Sequence, residues 1–308
     1  MGITTTPDFA KAKNYYWHSN PESRPLCRTY FDKCYTRPKV SLAWEILKGE
    51  KDGDSDLARH IVKLYDNDNA NMFAGRTVQV LAEKVLLGDH PISIEEAVEL
   101  GADMFSQYVP RDWDDGKDKA KHEINRGEFA EVLRAAVDGI QDAASQLGIN
   151  QLIGETDVYT KLAGCQLPYY GKPDFSQQIE LKTKWSTVDQ RAKSGKRAAS
   201  MPKTPTWSHL CQVSGYRAGT NKPQAIVYAR AGSNAVYTGR NDDHLTDDGL
   251  DAALRHVIAK CKIRENQMRA ASSTDELLLL VEPDFGHLWG WDVHPDVLDE
   301  AKKLWGFK

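Results

Sequence analysis

The chain changes its periodicity near Asn150, and that change limits the folds open to it. Before it, apolar residues recur at helical spacing. The clearest run goes from about Lys117 to Leu147, where Phe129, Val132, Leu133, Ala136, Ile140, Ala144 and Leu147 share one stripe and Gly148 can stop the helix. Earlier helices are expected from Val40 (within SLAWEILKG), from Asp54 or Ser55 to Tyr65, from Phe73 to Leu87, and from Ser93 to about Tyr108. Residues 1–38 show no clear period and read as an irregular arm or a small cap. After Asn150 short strand-like runs take over: Leu152 to Leu162, two strands within Tyr169 to Lys184, Gln224 to Arg230, Asn234 to Thr238 (a hairpin across Ala231-Gly232-Ser233), and Glu276 to Val281. Helices at Trp207 to Ala218, from Thr246 onward, and at Pro295 to Trp305 separate or close them. The expectation is an α/β (α+β) fold: a mixed β-sheet core flanked by helices over 150–308, with a helical N-terminal region, 1–149, packed on it.

Bulk properties set the class. The net charge of the 308-residue chain is -4, so any nucleic-acid contact must come from a local basic patch. No apolar run approaches the ~18 residues needed to span a membrane, and the N-terminus shows no signal-peptide core. Met1-Gly2 with Thr6 fits the loose myristoylation pattern, but nothing nearby supplies a second anchor. The five cysteines, Cys27, Cys34, Cys165, Cys211 and Cys261, are odd in number and scattered, which argues for a reducing, cytoplasmic setting and no disulfide framework. Cys27 and Cys34 lack the second pair a zinc site needs. No His-Glu-x-x-His, phosphate-binding GxxxxGK[ST] or Gly-rich dinucleotide loop is present.

The chemistry concentrates in Tyr169 to Lys184, YYGKPDFSQQIELKTK. Strand alternation puts Glu180 and Lys182 on one side and Ile179 and Leu181 on the other. Asp174, at the end of the preceding strand, can join the polar side. Two carboxylates and a lysine beside an apolar core are unfavourable unless a cation joins them, and carboxylate oxygens suit Mg²⁺ or Mn²⁺. The plainer reading of Glu-x-Lys is a surface salt bridge. Gln212 and Tyr216, four residues apart on one helix face, weigh against it.

Gly171-x-Pro173-Asp174, Glu180-x-Lys182-Thr183 and Gln212-x-x-x-Tyr216 together resemble the PD-(D/E)xK nuclease superfamily, in particular its RecB-type and lambda-exonuclease-like branch, which includes phage and mitochondrial-maintenance-type exonucleases. The resemblance covers about residues 150–240 and implies a restriction-endonuclease-like core. It implies that Asp174, Glu180 and the Leu181 carbonyl hold Mg²⁺ (or Mn²⁺), and that Lys182 positions or activates the attacking water. Gln212 would orient the lysine or the DNA strand, with Tyr216 on the same helix face. Glu155 would be an extra carboxylate reaching the metal through water, or simply a solvent-facing glutamate. Relatives usually carry Gly-x-x-x-His on an upstream helix, with the His on the metal. Here the segment reads Gly75-Arg76-Thr77-Val78-Gln79, with Glu83 one turn on, so Gln79 or Glu83 stands where that ligand is expected.

A basic tract follows the motif: Lys184, Arg191, Lys193, Lys196, Arg197 and Lys203, with Trp185 inside it and Trp207 beyond. Such a tract can track phosphates while an aromatic stacks on a base, or it can be a solvated loop. The leading expectation is a metal-dependent DNA exonuclease acting at free ends in phage or bacterial recombination or replication. Its helical half would wall the site around a single strand or one duplex end. A single-strand annealing or single-strand-binding protein is the expected partner, in the cytoplasm of a bacterial or phage-infected cell. The alternatives are a structure- or sequence-specific endonuclease of the same fold and a catalytically decayed DNA-binding protein.

Overall fold

A computed structural model describes residues 17–18, 21, 24–65, 68–187, 199–287 and 291–307. In chain order the elements are β1 (Trp17–His18), α1 (Leu26–Phe31), a π-helical segment (Asp32–Thr36), α2 (Arg37–Leu47), α3 (Ser55–Tyr65), α4 (Ala70–Leu86), α5 (Ile94–Ser106), α6 (Lys117–Leu147), β2 (Val158–Thr160), β3 (Tyr169–Gly171), β4 (Ile179–Lys184), α7 (Trp207–Thr220), β5 (Ala225–Arg230), β6 (Ser233–Thr238), a 3-10 turn (Asp243–Leu245), α8 (Asp247–Ala270), α9 (Thr274–Leu280) and α10 (Pro295–Leu304). The coarse expectation of a mixed α and β architecture holds. Contacts group the chain into two compact units. One comprises Asp68–Thr160 with Tyr170–His256, the other Met1–Asn67, Lys161–Tyr169 and Val257–Lys308.

The first unit is built on α6. Its stripe is buried as its period demands: Val132, Leu133, Ala136 and Ile140 are fully buried, in one cluster with Ile179, Leu181 and Val227 of the sheet. Gly139 lets the helix sit directly on β5, since a Cβ there would stand 2.6 Å from Val227 Cγ1. The sheet order is β4-β5-β6. β4 and β5 are parallel, Ile179 opposite Ala225 through Lys184 opposite Arg230, and α7 lies in the connection that a parallel pair requires. β5 and β6 are antiparallel with Arg230 opposite Ser233, leaving Ala231-Gly232 as the turn, Gly232 at φ +75°.

The start of α4 is fixed by charge and capping. The Asn69 side chain accepts from Met72 N. Asp118, 1% exposed, accepts from Ala70 N at 2.7 Å, from Arg111 N at 2.9 Å and from Tyr108 Oη at 2.6 Å. Asp118→Ala strands two buried N–H groups, so a loss of about 3 kcal/mol in chemical denaturation is expected, with α4 the element released.

In the second unit α2 and α3 pack through Ala43, Ile46, Ala58 and Ile61. The Glu265 carboxylate accepts from Gln166 N and Leu167 N. All five cysteines are buried thiols. Among the described residues no helix is long and apolar enough to cross a membrane.

Several local expectations are corrected. Residues 26–38 are helical, not an irregular arm. Cys27, Tyr30, Phe31 and Cys34 are buried at helical spacing, but the π-helical segment shifts the register and Pro38 opens α2, which obscures the period. Of Leu152 to Leu162 only Val158–Thr160 forms a strand. Upstream, Ile153 N donates to Ser176 Oγ and Glu155 N to Glu83 Oε1 instead of to a ladder. Glu276 to Val281 is the end of a helix, not a strand. Ser273 Oγ accepts from Glu276 N while the Glu276 carboxylate accepts from Ser272 N and Oγ, and this capping outweighs the β-like run of leucines. The two strands expected within Tyr169 to Lys184 are present, as β3 and β4, and belong to different sheets.

Candidate active site

β4 is an edge strand, and its two faces divide apolar from polar. Ile179 and Leu181 face the α6 core, while Glu180 and Lys182 face α7. The helix answers with Gln212 and Tyr216, one turn apart and both buried. Lys182 Nζ donates to Glu180 Oε1 at 2.5 Å and to Gln212 Oε1 at 3.0 Å. Gln212 Nε2 donates to Glu180 Oε1 at 2.6 Å and to Tyr216 Oη at 2.7 Å. Every polar atom of the Gln212 amide is therefore committed to holding the Glu180–Lys182 pair. Glu180 Oε2, also buried, has no hydrogen-bond partner.

Asp174 reaches the same place by a different route. A tight turn with Ser176 at φ +53° and Gln177 at φ +63° folds Phe175 back onto Ile179, which accepts and returns a backbone hydrogen bond. Asp174 Oδ2 then accepts from Leu181 N at 2.7 Å. The acid thus satisfies a backbone donor on the open edge of β4. In an extended strand the N–H and C=O of one residue point the same way, so the Leu181 carbonyl shares that edge with Asp174.

Burial dominates the electrostatics. It pushes the Asp174 carboxyl well above the ordinary carboxylate range, and the Glu180 charge pushes it further. Burial also raises Glu180, against the pull of Lys182. For Lys182 burial works to lower the ammonium, but Glu180 and Asp174 together hold it above its ordinary value.

An open cleft of about 530 Å³ lies over these groups. Asp174, Glu180, Leu181 and Lys182 form one wall, and α4 supplies Gly75, Arg76, Gln79 and Glu83 to the other. Glu155 joins the lining, its carboxylate receiving Lys172 Nζ at 3.1 Å and Gln79 Nε2 at 3.3 Å. Gln79 thus meets Glu155 through its amide nitrogen, and Glu83 receives the Glu155 N–H.

Among the described residues no group of three or more His, Cys, Asp or Glu side chains is disposed to hold a metal. Asp174, Glu180 and the Leu181 carbonyl are a smaller set, but Mg²⁺ commonly takes one or two carboxylates and keeps several waters. The orphaned Glu180 Oε2, beside a second carboxylate that burial disfavours as an anion, fits a hard cation.

The remaining expected contacts divide. Arg191, Lys193, Lys196 and Arg197 lie outside the described residues. Lys203 is exposed. Lys184 lies 5.3 Å from the centroid of the Tyr228 ring, and burial, then Lys182, lowers its ammonium. Trp185 packs against the α6-side core and donates to Thr183 Oγ1 at 3.1 Å. Sequence reasoning missed Arg76 as a cleft residue, although it stands inside the segment quoted for its glycine. It also missed His209, one turn before Gln212. His209 Nδ1 lies 2.7 Å from Tyr228 Oη, and burial, then Lys182 and Lys184, takes the imidazole down to about 3, so it is neutral.

Gly171 of the motif has a steric reason. A Cβ there would stand 2.2 Å from Tyr216 Cε1. Gly171→Ala is expected to displace Tyr216 and with it Gln212, lowering stability by about 1–3 kcal/mol in urea titration. No family model, curated protein or solved structure matches this chain.

Proposed function

We propose that the chain is a metal-dependent deoxyribonuclease of the PD-(D/E)xK kind, with a restriction-endonuclease-like core, that hydrolyses phosphodiester bonds from free DNA ends. The observation that carries this reading is the Glu180–Lys182–Gln212–Tyr216 network beside Asp174, with Glu180 Oε2 unpartnered at an open cleft. Asp174, Glu180 and the Leu181 carbonyl would hold Mg²⁺ or Mn²⁺, which neutralises phosphate charge and lowers the pKa of a bound water.

The protein's own groups do the rest. Lys182, charged and aimed by Gln212, donates to the attacking water or to the phosphoryl oxygen that gains charge. Its proton is retained by the two carboxylates. Burial opposes that hold, so weakening the two negative charges would lower the ammonium. Gln212 holds Lys182 and Glu180 in register, so neither side chain needs to reorganise during reaction. Glu155, steadied by Lys172 and Gln79, adds negative charge near both acids.

End-dependence is tested by offering linear DNA and a covalently closed circle with Mg²⁺. Loss of the linear form with the circle spared is expected, and cutting of the circle would replace the exonuclease by an endonuclease. One observation favours a second reading, a DNA-binding protein without catalysis. Where relatives place a histidine ligand, Gln79 turns its amide to Glu155. Calorimetry with Mn²⁺ in the presence of DNA separates the two, since absence of metal binding would favour the second.

A further inference from the structure

The α4 wall of the cleft has an order of its own. Met72, Arg76 and Val80 follow one another at four-residue intervals and all line the cleft. Helix geometry separates them by about 6 Å each along the axis and keeps them on one side. Met72 is 53% and Val80 36% exposed, so both present apolar surface where they line the cleft. Between them Arg76 has a side chain 64% exposed, paired through its NH2 nitrogen with Asp68 at 2.6 Å. A pair at that exposure is weak and is readily exchanged for a phosphate.

α4 also approaches β4 closely at one point. A Cβ on Gly75 would stand 3.1 Å from Thr183 Oγ1, so a larger residue there would press on the Thr183 side chain. Both residues line the cleft, beside Glu180 and Lys182. A strand can lie along this wall.

We infer that the cleft receives one DNA strand, separated from any complement and laid along α4, with Arg76 holding a phosphate next to the scissile one and Met72 and Val80 against sugars and bases. The apolar–cationic–apolar spacing suits unstacked nucleotides, which offer apolar faces between charged phosphates. The assignment of the scissile phosphate rests on the proposed nuclease reading; the strand site does not.

The test uses the full chain with Ca²⁺ in place of Mg²⁺, and fluorescence anisotropy of a labelled oligonucleotide as a single strand and as a blunt duplex. The single strand is expected to bind at least about tenfold tighter than the duplex. Arg76→Ala is expected to weaken the strand by about tenfold and to lower the salt slope by about 0.7, the value for one lost phosphate contact on a single strand. Thermal melting should be unchanged. Equal affinity for strand and duplex, or an Arg76→Ala variant with unchanged affinity and salt slope, overturns the inference. A wild-type chain that binds the strand in this way but shows no hydrolysis with Mg²⁺ or Mn²⁺ overturns the nuclease reading and leaves the strand site standing.

Discussion

Lys182→Met is expected to lower metal-dependent DNA hydrolysis by about 10²–10³-fold, the usual effect of removing one preorganised donor from a developing charge. The same variant should be less stable at neutral pH. Without the ammonium, Glu180 Oε1 keeps only Gln212, and two carboxylates face each other across a buried edge. Breaking a fully buried pair costs about 3–5 kcal/mol. A smaller loss, about 2 kcal/mol, is expected here because 21% of the Lys182 side chain still meets solvent. The loss should shrink as pH falls, since protonating either acid removes the repulsion. Steady-state digestion and denaturant titration at two pH values check both parts. A stable, active Lys182→Met would deny the lysine any role in charge.

Asp174→Asn is expected to separate activity from stability. Hydrolysis should fall by about 10³-fold or more, since a metal-binding carboxylate is lost from a site with few others. Stability without metal should be equal to or above that of the wild type at neutral pH. The Asn oxygen can still accept from Leu181 N, and the anion that burial disfavours is gone. The sign follows from linkage. Asp174 binds its proton more tightly folded than unfolded, so its carboxylate disfavours the fold above the raised folded value. That penalty fades as pH falls from there toward the ordinary value near ~3.9. The advantage of the Asn variant should therefore be larger at neutral pH than at lower pH and disappear near pH 4. Mg²⁺ should stabilise the wild type and not the variant. Melting curves across pH, with and without Mg²⁺, measure all of this.

What the sequence made legible was what its periods encode. α6 was readable because Phe129 through Leu147 keep one stripe against the sheet, with Gly148 to end it. The polar face of β4 followed from alternation, and the helix face of Gln212 and Tyr216 from four-residue spacing; those two rules meet in one network. What was hidden depends on contacts far apart in sequence. Asp174 lies near Glu180 because of the turn at Ser176-Gln177 and its bond to Leu181 N. The commitment of Lys184 to Tyr228 and of Trp185 to the core could not be foreseen, since a basic, aromatic run reads alike whether it faces solvent or packs inward. The Leu277–Leu280 run looked like a strand because the Ser272–Glu276 capping that makes it a helix is written in polar residues outside it.

The most direct measurement is digestion of an end-labelled single strand by wild type and Glu180→Ala side by side, with Mg²⁺ and then with EDTA. Progressive loss of the label with Mg²⁺, none with EDTA and none with the variant is the predicted result. An undegraded strand with wild type and Mg²⁺ or Mn²⁺, or equal digestion by the variant, would contradict a nuclease centred on Asp174, Glu180 and Lys182.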